Sequence, residues 1–153
     1  MTTTDARRGA AQRIRDARDR LDRDADLWIA TAHDNAPWLV PLSFHWTGTV
    51  LLMATLRRSR THRNIAGGGG ARVTLGHTRD MVMLDGEIDL PKEVAEDDAN
   101  AVATASGCDS RTDADVAYLR FTPSRVQAWR TAAEIADRTI MTDGRWHADE
   151  PDL

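Results

Sequence analysis

The stretch Leu27-Trp-Ile-Ala-Thr-Ala-His-Asp-Asn-Ala-Pro-Trp-Leu-Val-Pro-Leu-Ser-Phe-His-Trp46 decides the fold class. It opens with a short apolar and β-branched run, and turn-forming residues follow at 33–37, a pattern typical of a strand and a turn. A second apolar run covers 38–46. Pro41 lies inside this run and cannot donate to a sheet ladder, so it indicates an edge position or a bulge. The stretch therefore predicts two antiparallel strands joined by a tight turn.

The residues that follow extend this pattern. Thr47-Gly48 turns the chain into an apolar run at 50–55, which predicts a meander of three strands. The connections are too short for the crossover helix that parallel strands need. Ser59 is placed to cap a short helix over 61–66. The glycine run 67–70 lacks the framework of a phosphate-binding loop, so a flexible helix exit is the favoured interpretation.

Two further strands are predicted at 71–76 and 81–90, with Asp85-Gly86 as a bend or bulge in the second. Pro91 opens a predicted helix that ends near Gly107. After it, the chain is predicted to form a long strand over 116–129 interrupted at Thr122-Pro123-Ser124, a helical turn near Glu134, and a hairpin of 138–142 with 145–147 across Asp143-Gly144. The sum is six to eight antiparallel strands in one domain, and a small β-barrel would protect the edges of such a sheet.

The N-terminal segment has a different texture. From Ala6 to Asp24 it is dense in Arg and Asp, and its apolar residues are spaced three and four apart, which predicts one amphipathic helix. Thr4 or Asp5 can cap this helix. Asp16 with Arg20, and likewise Asp19 with Arg23, stand at the spacing of helical ion pairs. We interpret the charges as a solvated face rather than an RNA-binding surface, and the predicted organisation is a helix at 1–25, a barrel domain at 26–147 and a loose tail at 148–153.

Composition narrows the function classes. The chain has 153 residues, 41% hydrophobic and 29% charged, with a net charge of −4, which fits one globular domain and argues against nucleic-acid binding through a broad basic surface. No apolar run approaches the roughly 18 residues that span a bilayer, and the polar start lacks the apolar centre of a secretion signal. Cys108 is the only cysteine. A cytoplasmic protein without a membrane or nucleic-acid partner is expected.

Familiar catalytic motifs are missing from the sequence. It contains neither the HExxH motif of zinc proteases nor the GxSxG motif of serine hydrolases, and no metal site is predicted. The informative segment is Ala54 to Ile65, where a strand ends in hydroxyls and clustered arginines just before a short helix. Such a segment can bind a phosphate, because arginine offers forked charged donors and a helix start offers free N–H groups. A merely solvated loop is the alternative.

The sequence resembles the pyridoxamine 5′-phosphate oxidase-like FMN-binding split barrels over about residues 25–147. The resemblance rests on the 27–46 stretch, Ala54-Thr, Ser59-Arg60, and on Asn64-Ile65, Val73-Thr-Leu and Asp85-Gly86-Glu. It implies a mainly β fold with a few helices, a six-stranded antiparallel split β-barrel. It further implies a homodimer that holds FMN, or the related deazaflavin coenzyme, in grooves between the subunits. No catalytic residue is assigned.

The resemblance also implies where the cofactor lies. The strand from Val40 to His45 would run beside the isoalloxazine ring, and the end of the next strand and the following helix would meet the phosphate. The chain's last third would contribute a Trp and an Arg, with Trp129 packing at the flavin from the second subunit. The implied cofactor-binding residues are Val40, Pro41, Leu42, Ser43, Ala54, Thr55, Ser59, Arg60, Thr61, Trp129 and Arg138.

Two departures from the family pattern affect the expected activity. Thr61 stands where the oxidases have Lys after the Ser-Arg pair, so Arg57, Arg58 or Arg63 would have to compensate for the lost charge. Glu134-Ile-Ala136 replaces the Arg-Leu-His that holds pyridoxine phosphate, which disfavours true pyridoxamine phosphate oxidase activity. The leading hypothesis is a flavin-type oxidoreductase that transfers hydride to or from a small organic substrate. The alternative is a protein of the same fold that binds a flavin, haem or tetrapyrrole without turnover.

Overall fold

A computed structural model describes residues 7–147, so the predicted tail at 148–153 and the predicted caps Thr4 and Asp5 lie outside the described residues. The helices are α1 (Ala10–Arg23), α2 (Arg60–Ala66) and α3 (Glu96–Ser106), with a 3-10 helix at Ala132–Asp137. The strands are β1 (Asp26–His33), β2 (Ala36–Ser43), β3 (His45–Trp46), β4 (Leu51–Leu56), β5 (Ala71–His77), β6 (Asp80–Asp89), β7 (Val116–Trp129), β8 (Thr139–Thr142) and β9 (Arg145–Trp146). Within 7–147, no helix combines the length and the hydropathy that crossing a membrane requires.

The strands form one antiparallel sheet with the order β2-β1-β5-β6-β7-β4-β3, and β8 and β9 extend it beside β7. The predicted mainly β architecture is confirmed. The prediction of six strands is not, because the sheet has nine strands and does not close. The additional strands are short: β3 and β9 have two residues each, and β8 has four.

The predicted hairpin at 27–46 is confirmed, but the meander is wrong. β1 pairs with β2 from Asp26 opposite Ser43 to His33 opposite Ala36, and Asp34 and Asn35 adopt the positive φ of a tight two-residue turn. The run then breaks at Phe44, whose side chain is buried in the core. β3 therefore pairs with β4 while β2 lies at the opposite end of the sheet. Pro41 is on this end strand, as predicted for a residue without an N–H.

The predicted bulge at Asp85-Gly86 is confirmed by a register shift between these residues against β7. The predicted interruption of the 116–129 strand is wrong, because β7 runs unbroken from Val116 to Trp129. Pro123 is tolerated inside it because the bulge takes up the irregularity: Gly86 lies opposite Pro123, and Asp85 lies opposite Arg125. A Cβ on Gly86 would collide with the carbonyl oxygen of Thr122, so this close approach requires glycine.

The remaining predicted elements form with shifted boundaries. Ser59 caps α2 by accepting a hydrogen bond from the His62 N–H at 3.1 Å. The helix predicted from Pro91 begins only at Glu96, because the preceding linker stays extended and brings Val94 against the apolar cluster beneath α3. The last hairpin turns at Asp143 and Gly144, with φ of 52° and 76°.

Two apolar clusters hold these elements together. The larger one contains residues of β1, β4, β5, β6, β7 and β8, and Ile14, Ala17 and Leu21 of α1 pack into it. The smaller cluster lies on the outer side of β4 and β7, where α3 covers Ala54 and Tyr118. Helix α1 is therefore part of the barrel domain's core, and its apolar stripe packs as the spacing predicted.

The charges of α1 find partners just before the helix, at its C-terminal end and in β6. Asp16 bonds to Arg8 at 2.9 Å, and Arg20 pairs with Asp24 and Asp80. The predicted Asp16–Arg20 pair does not form, because Asp16 pairs with Arg8 and Arg130 while Arg20 pairs with Asp24 and Asp80. The predicted Asp19–Arg23 side-chain pair is replaced by a bond from Arg23 Nε to the Asp19 carbonyl oxygen. Part of the charged face that we interpreted as solvated therefore forms ion pairs with other elements of the same chain.

The most buried ion pair of the described residues joins Arg8, just before α1, to Glu134 in the 3-10 helix. Glu134 is 1% exposed, and its carboxylate accepts from the Arg8 backbone N–H and Nε, both at 3.0 Å, and from Arg8 Nη2 at 2.8 Å. The Arg130 N–H donates a further bond at 2.9 Å. These hydrogen bonds lower the pKa of Glu134 from 4.5 to about 2. The carboxylate therefore stabilises the fold above the unfolded pKa, and this stabilisation is lost as the pH falls toward 2.

We predict that Glu134→Gln lowers the free energy of unfolding at pH 7 by about 3 kcal/mol, since Arg8 would be left as a poorly compensated, largely buried charge. This difference in free energy between the parent protein and the variant should become smaller once the pH falls below the ordinary pKa range of carboxyl groups. It should disappear as the pH approaches the Glu134 pKa of about 2. Urea unfolding at several pH values and one protein concentration measures this. Asp89→Asn is the control, because its ion pair with Arg120 is exposed and should contribute less than about 1 kcal/mol. Equal losses in both variants would contradict the prediction.

Candidate functional site

Four arginines surround the start of α2: Arg57, Arg58, Arg60 and Arg63. We call them the α2 arginine cluster. Within residues 7–147, none of the four forms an ion pair with a carboxylate. In contrast, seven arginines elsewhere in the chain do so, namely Arg7, Arg8, Arg20, Arg72, Arg111, Arg120 and Arg130. Unpaired guanidinium groups held close together make a local positive potential, which suits an anionic ligand.

The effect of this potential is visible on a neighbouring group. The pKa of His62 is lowered, first by burial and then by the charge of Arg57. Arg57 is itself fixed in place, because its Nε donates to the carbonyl oxygen of Ala114 at 2.8 Å. The shift favours the neutral form of His62, and the arginines supply the positive charge of this region.

Two hydroxyls lie beside the cluster. Thr55, near the end of β4, donates from Oγ1 to Ser59 Oγ at 3.3 Å, and Ser59 also caps α2. Thr61 and Ala54 are placed differently from this pair: Thr61 is 2% exposed within α2, and Ala54 is 6% exposed in the cluster beneath α3. Successive residues of a strand face opposite sides of a sheet, so the side chains of Ala54 and Thr55 diverge.

Arg60 extends from α2 toward the end strand β2. Its guanidinium lies 5.0 Å from the centroid of the Trp38 ring, within the range of a cation–π interaction. A cavity of about 430 Å³ opens beside it, lined by His33, Asp34, Ala36, Arg60, Arg63 and Asn64. Asp34 is the acidic residue of this wall, and its exposed carboxylate lies 3.2 Å from His33 Nε2. The cavity thus has an arginine wall formed by α2 and a rim formed by the β1–β2 turn.

Strand β2 borders the cluster with a free edge. Among the described strands it pairs only with β1, so the backbone groups on its other side make no ladder bonds. Val40 and Leu42 are half-buried and pack against the main core, and Pro41 is exposed. The Ser43 hydroxyl donates to Asp26 Oδ1 at 2.7 Å. Four of the predicted site residues therefore lie along one unpaired strand edge.

Trp129 and Arg138 lie elsewhere in the same chain. Thr55 is opposite Ala117 at the start of β7, whereas Trp129 ends that strand, so about 40 Å of strand separates them at ~3.3 Å per residue. The guanidinium of Arg138 lies 5.9 Å from the Trp129 ring centroid. In the amide orientation that satisfies its neighbours, the Gln127 oxygen accepts from Arg138 Nε at 2.9 Å. One chain thus forms two separate groups of predicted site residues.

Sequence reasoning did not assign a site role to three features of this region. Trp38 stacks under Arg60, and His33 and Asp34 line the cavity. A signal for the region was present in the sequence: no acidic residue occurs between Asp34 and Asp80. The α2 arginine cluster lies in this interval, where no nearby carboxylate along the chain can neutralise it.

Comparison with known proteins finds similarity in structure but not in sequence. No protein-family model and no curated protein matches the chain at the sequence level. The structure is similar to a candidate pyridoxamine 5′-phosphate oxidase from Listeria innocua, with a TM-score of 0.64 and 10% identity over 76% of this chain and 98% of that one. An F420 reductase has a TM-score of 0.58 and 17% identity over 71% of this chain and 93% of the reductase.

A haem-binding protein from Mycobacterium smegmatis is also similar, with a TM-score of 0.67 and 16% identity over 91% of this chain and 60% of that protein. At these identities the similarity shows a shared fold. The arrangement of the sheet and helices thus shares the split-barrel fold of these solved structures.

Proposed function

We propose that this protein binds a flavin-type cofactor, FMN or a deazaflavin coenzyme, and acts as an oxidoreductase on a small organic substrate. The observation that carries this proposal is the α2 arginine cluster, whose four positive charges have no carboxylate partner in the described part of the chain. Both cofactors carry a phosphate and a planar tricyclic ring. The free edge of β2 beside the cluster offers backbone groups to such a ring.

The residues present fit a cofactor of this kind. The Arg60 guanidinium makes a cation–π contact with Trp38 and no ion pair among the described residues, so its donors are free to bind a phosphate. Ser59 and Thr55 add hydroxyls within 3.3 Å of each other. The bound flavin would supply hydride transfer. The protein's own groups would bind the phosphate, orient the ring along Val40 to Ser43, and exclude water from its buried side.

The choice between the two cofactors rests on charge. FMN is the first candidate, because it is the usual cofactor of proteins that this sequence resembles. Thr61 stands where the oxidases have lysine, and its side chain is buried, so the phosphate charge would be met by the surrounding arginines. Arg57, Arg58 and Arg63 would also suit the longer anionic tail of a deazaflavin, and the similarity to an F420 reductase supports that alternative.

Pyridoxamine phosphate oxidation does not fit the segment around Glu134. In the oxidases the corresponding segment contributes cationic groups to pyridoxine phosphate. Here Glu134 is anionic, buried and occupied by Arg8 and Arg130, so it offers no positive charge to a phosphate substrate. The proposed substrate is therefore another small organic molecule.

The site is proposed to form between two copies of the chain. The outer face of the β1–β2 hairpin exposes a patch of apolar residues, with Leu39 at 60% and Trp28 at 46% exposure. Pro41, opposite Trp28, lies on the same face. Following the register from Trp28 through Thr74 and Met83 leads to the face of β7 that carries Trp129. A second copy seated on this face would cover the patch and could bring its Trp129 and Arg138 toward the α2 arginine cluster.

A second candidate function is binding of haem or another tetrapyrrole without turnover. The similarity to the haem-binding protein from Mycobacterium smegmatis, which covers 91% of this chain, favours it. The absorption spectrum of the purified protein separates the candidates, because oxidised flavins, deazaflavins and haem absorb at different wavelengths. A haem spectrum with no flavin affinity would replace the leading proposal with this one.

We predict that Arg60→Ala weakens cofactor binding about tenfold to a hundredfold, since a forked, charge-assisted contact with phosphate contributes roughly 1.5 to 3 kcal/mol. The thermal midpoint without cofactor should change little, because Arg60 makes no ion pair among the described residues. Titrations with FMN and with the deazaflavin, followed by fluorescence, measure both affinities. Arg79→Ala is the matched control, an exposed arginine in the β5–β6 turn. If Arg60→Ala bound both cofactors as tightly as the parent protein, the proposed phosphate site would be wrong.

We predict a homodimer with an interface of roughly 1,600 Å² or more in total, and Leu39→Glu should convert it to monomers by placing a charge in the apolar patch. Light scattering at micromolar concentration measures the mass. Thr104→Glu adds the same charge at an exposed position of α3, outside the patch, and should remain dimeric. A monomeric parent protein would contradict the assembly, whereas a dimeric Leu39→Glu variant would show that another surface forms it.

A further inference from the structure

A cavity of about 440 Å³ lies between α3, the linker before it and strand β7. We call it the α3 cavity. Val94 and Ala99 line it together with Tyr118, and Lys92 and Arg111 lie at its rim. Its size is that of a small-molecule site. The cavity is separate from the proposed flavin site, because Tyr118 is opposite Ala54 on the outer side of the sheet while Thr55 faces the other way.

The hydroxyl of Tyr118 is unusual within this cavity. Tyr118 is 3% exposed, and its hydroxyl is buried with no hydrogen-bond partner among the described residues. A buried hydroxyl without a partner costs roughly 1–3 kcal/mol. Burial also raises the pKa of this phenol, and the charges of Asp109 and Arg111 both act on it. The ring of Tyr118, which lines the cavity, therefore carries a protonated donor.

The charged groups around the cavity compensate one another. Arg111 binds Asp109 through two contacts of 2.9 Å and Asn100 through a third of 2.9 Å, so its donors are engaged. Lys92, Glu93 and Glu96 are all exposed, and the lining holds two basic and two acidic side chains. With no net charge and an apolar wall, the cavity favours an uncharged ligand over an ion.

We propose that the α3 cavity binds a small uncharged molecule with an apolar body and one hydroxyl or carbonyl group, which hydrogen-bonds to Tyr118. The apolar body would pack on Val94 and Ala99. The polar group would satisfy the buried hydroxyl, which the protein leaves without a partner. This site is independent of the cofactor and of the proposed dimer.

The test uses phenol as the probe and benzene as its matched partner without a hydroxyl. Tyr118 is the only tyrosine of the chain, so protein labelled with 3-fluorotyrosine gives one fluorine NMR signal from the cavity itself. Phenol should shift this signal saturably in the millimolar range. Benzene should bind roughly threefold to tenfold more weakly, the difference that one neutral hydrogen bond makes.

Tyr118→Phe supplies the second arm of the test. Ligand-observed NMR should show that the variant binds phenol and benzene equally, while its thermal midpoint is not lowered, because the change removes a hydroxyl without a protein partner. Three results would each overturn the proposal: no fluorine shift with phenol, equal affinity of the parent protein for both probes, or a lowered thermal midpoint of Tyr118→Phe. The last result would show that the hydroxyl already has a partner within the protein.

Discussion

The backbone ladder of strand β7 is the constraint on which the rest of the structure depends. This 14-residue strand pairs with β6 along one side, and with β4 and then β8 along the other. A strand this long cannot stay straight inside a small barrel, and the bulge opposite Asp85 and Gly86 lets it bend without losing its ladder. Both apolar clusters contain residues of β7, so the barrel core and the packing of α3 depend on the same strand.

The length of β7 also determines how a ligand site can be assembled. Its first half pairs with β4 and lies near the α2 arginine cluster, while its second half carries Trp129 far along the strand. A single chain cannot bring these ends together without bending the strand far more than one bulge allows. Meanwhile the β1–β2 hairpin leaves Trp28 and Leu39 exposed, at a cost that burial against a second copy would offset. Two independent observations therefore favour the same assembly.

The sequence predicted those parts of the fold that local chemistry controls. The tight turn at Asp34-Asn35, the Ser59 cap, the bulge at Gly86 and the turn at Asp143-Gly144 were all predictable, because each depends on residues a few positions apart. The break at Phe44 was not, since it depends on which distant strand β3 finds as a partner. The Arg8–Glu134 pair joins residues 126 positions apart, and no periodicity or motif connects them. For the same reason, the contact between Arg60 and the Trp38 ring could not be predicted from the sequence, because it depends on how the β1–β2 hairpin folds against α2.

The arginines illustrate how structure adds to composition. With Lys92 as the sole lysine among 20 basic residues, no single arginine can be interpreted from its identity, because arginine is simply the common cation of this chain. Ion pairing in the folded chain distinguishes one group of arginines from another. Acidic residues number 24, enough to neutralise every base, yet the chain places none between Asp34 and Asp80. The α2 arginine cluster therefore keeps a local net positive charge, because the sequence places no carboxylate close to it along the chain. Like charges held together repel, so the cluster carries an electrostatic cost in the free protein that a bound anion, as proposed above, would offset.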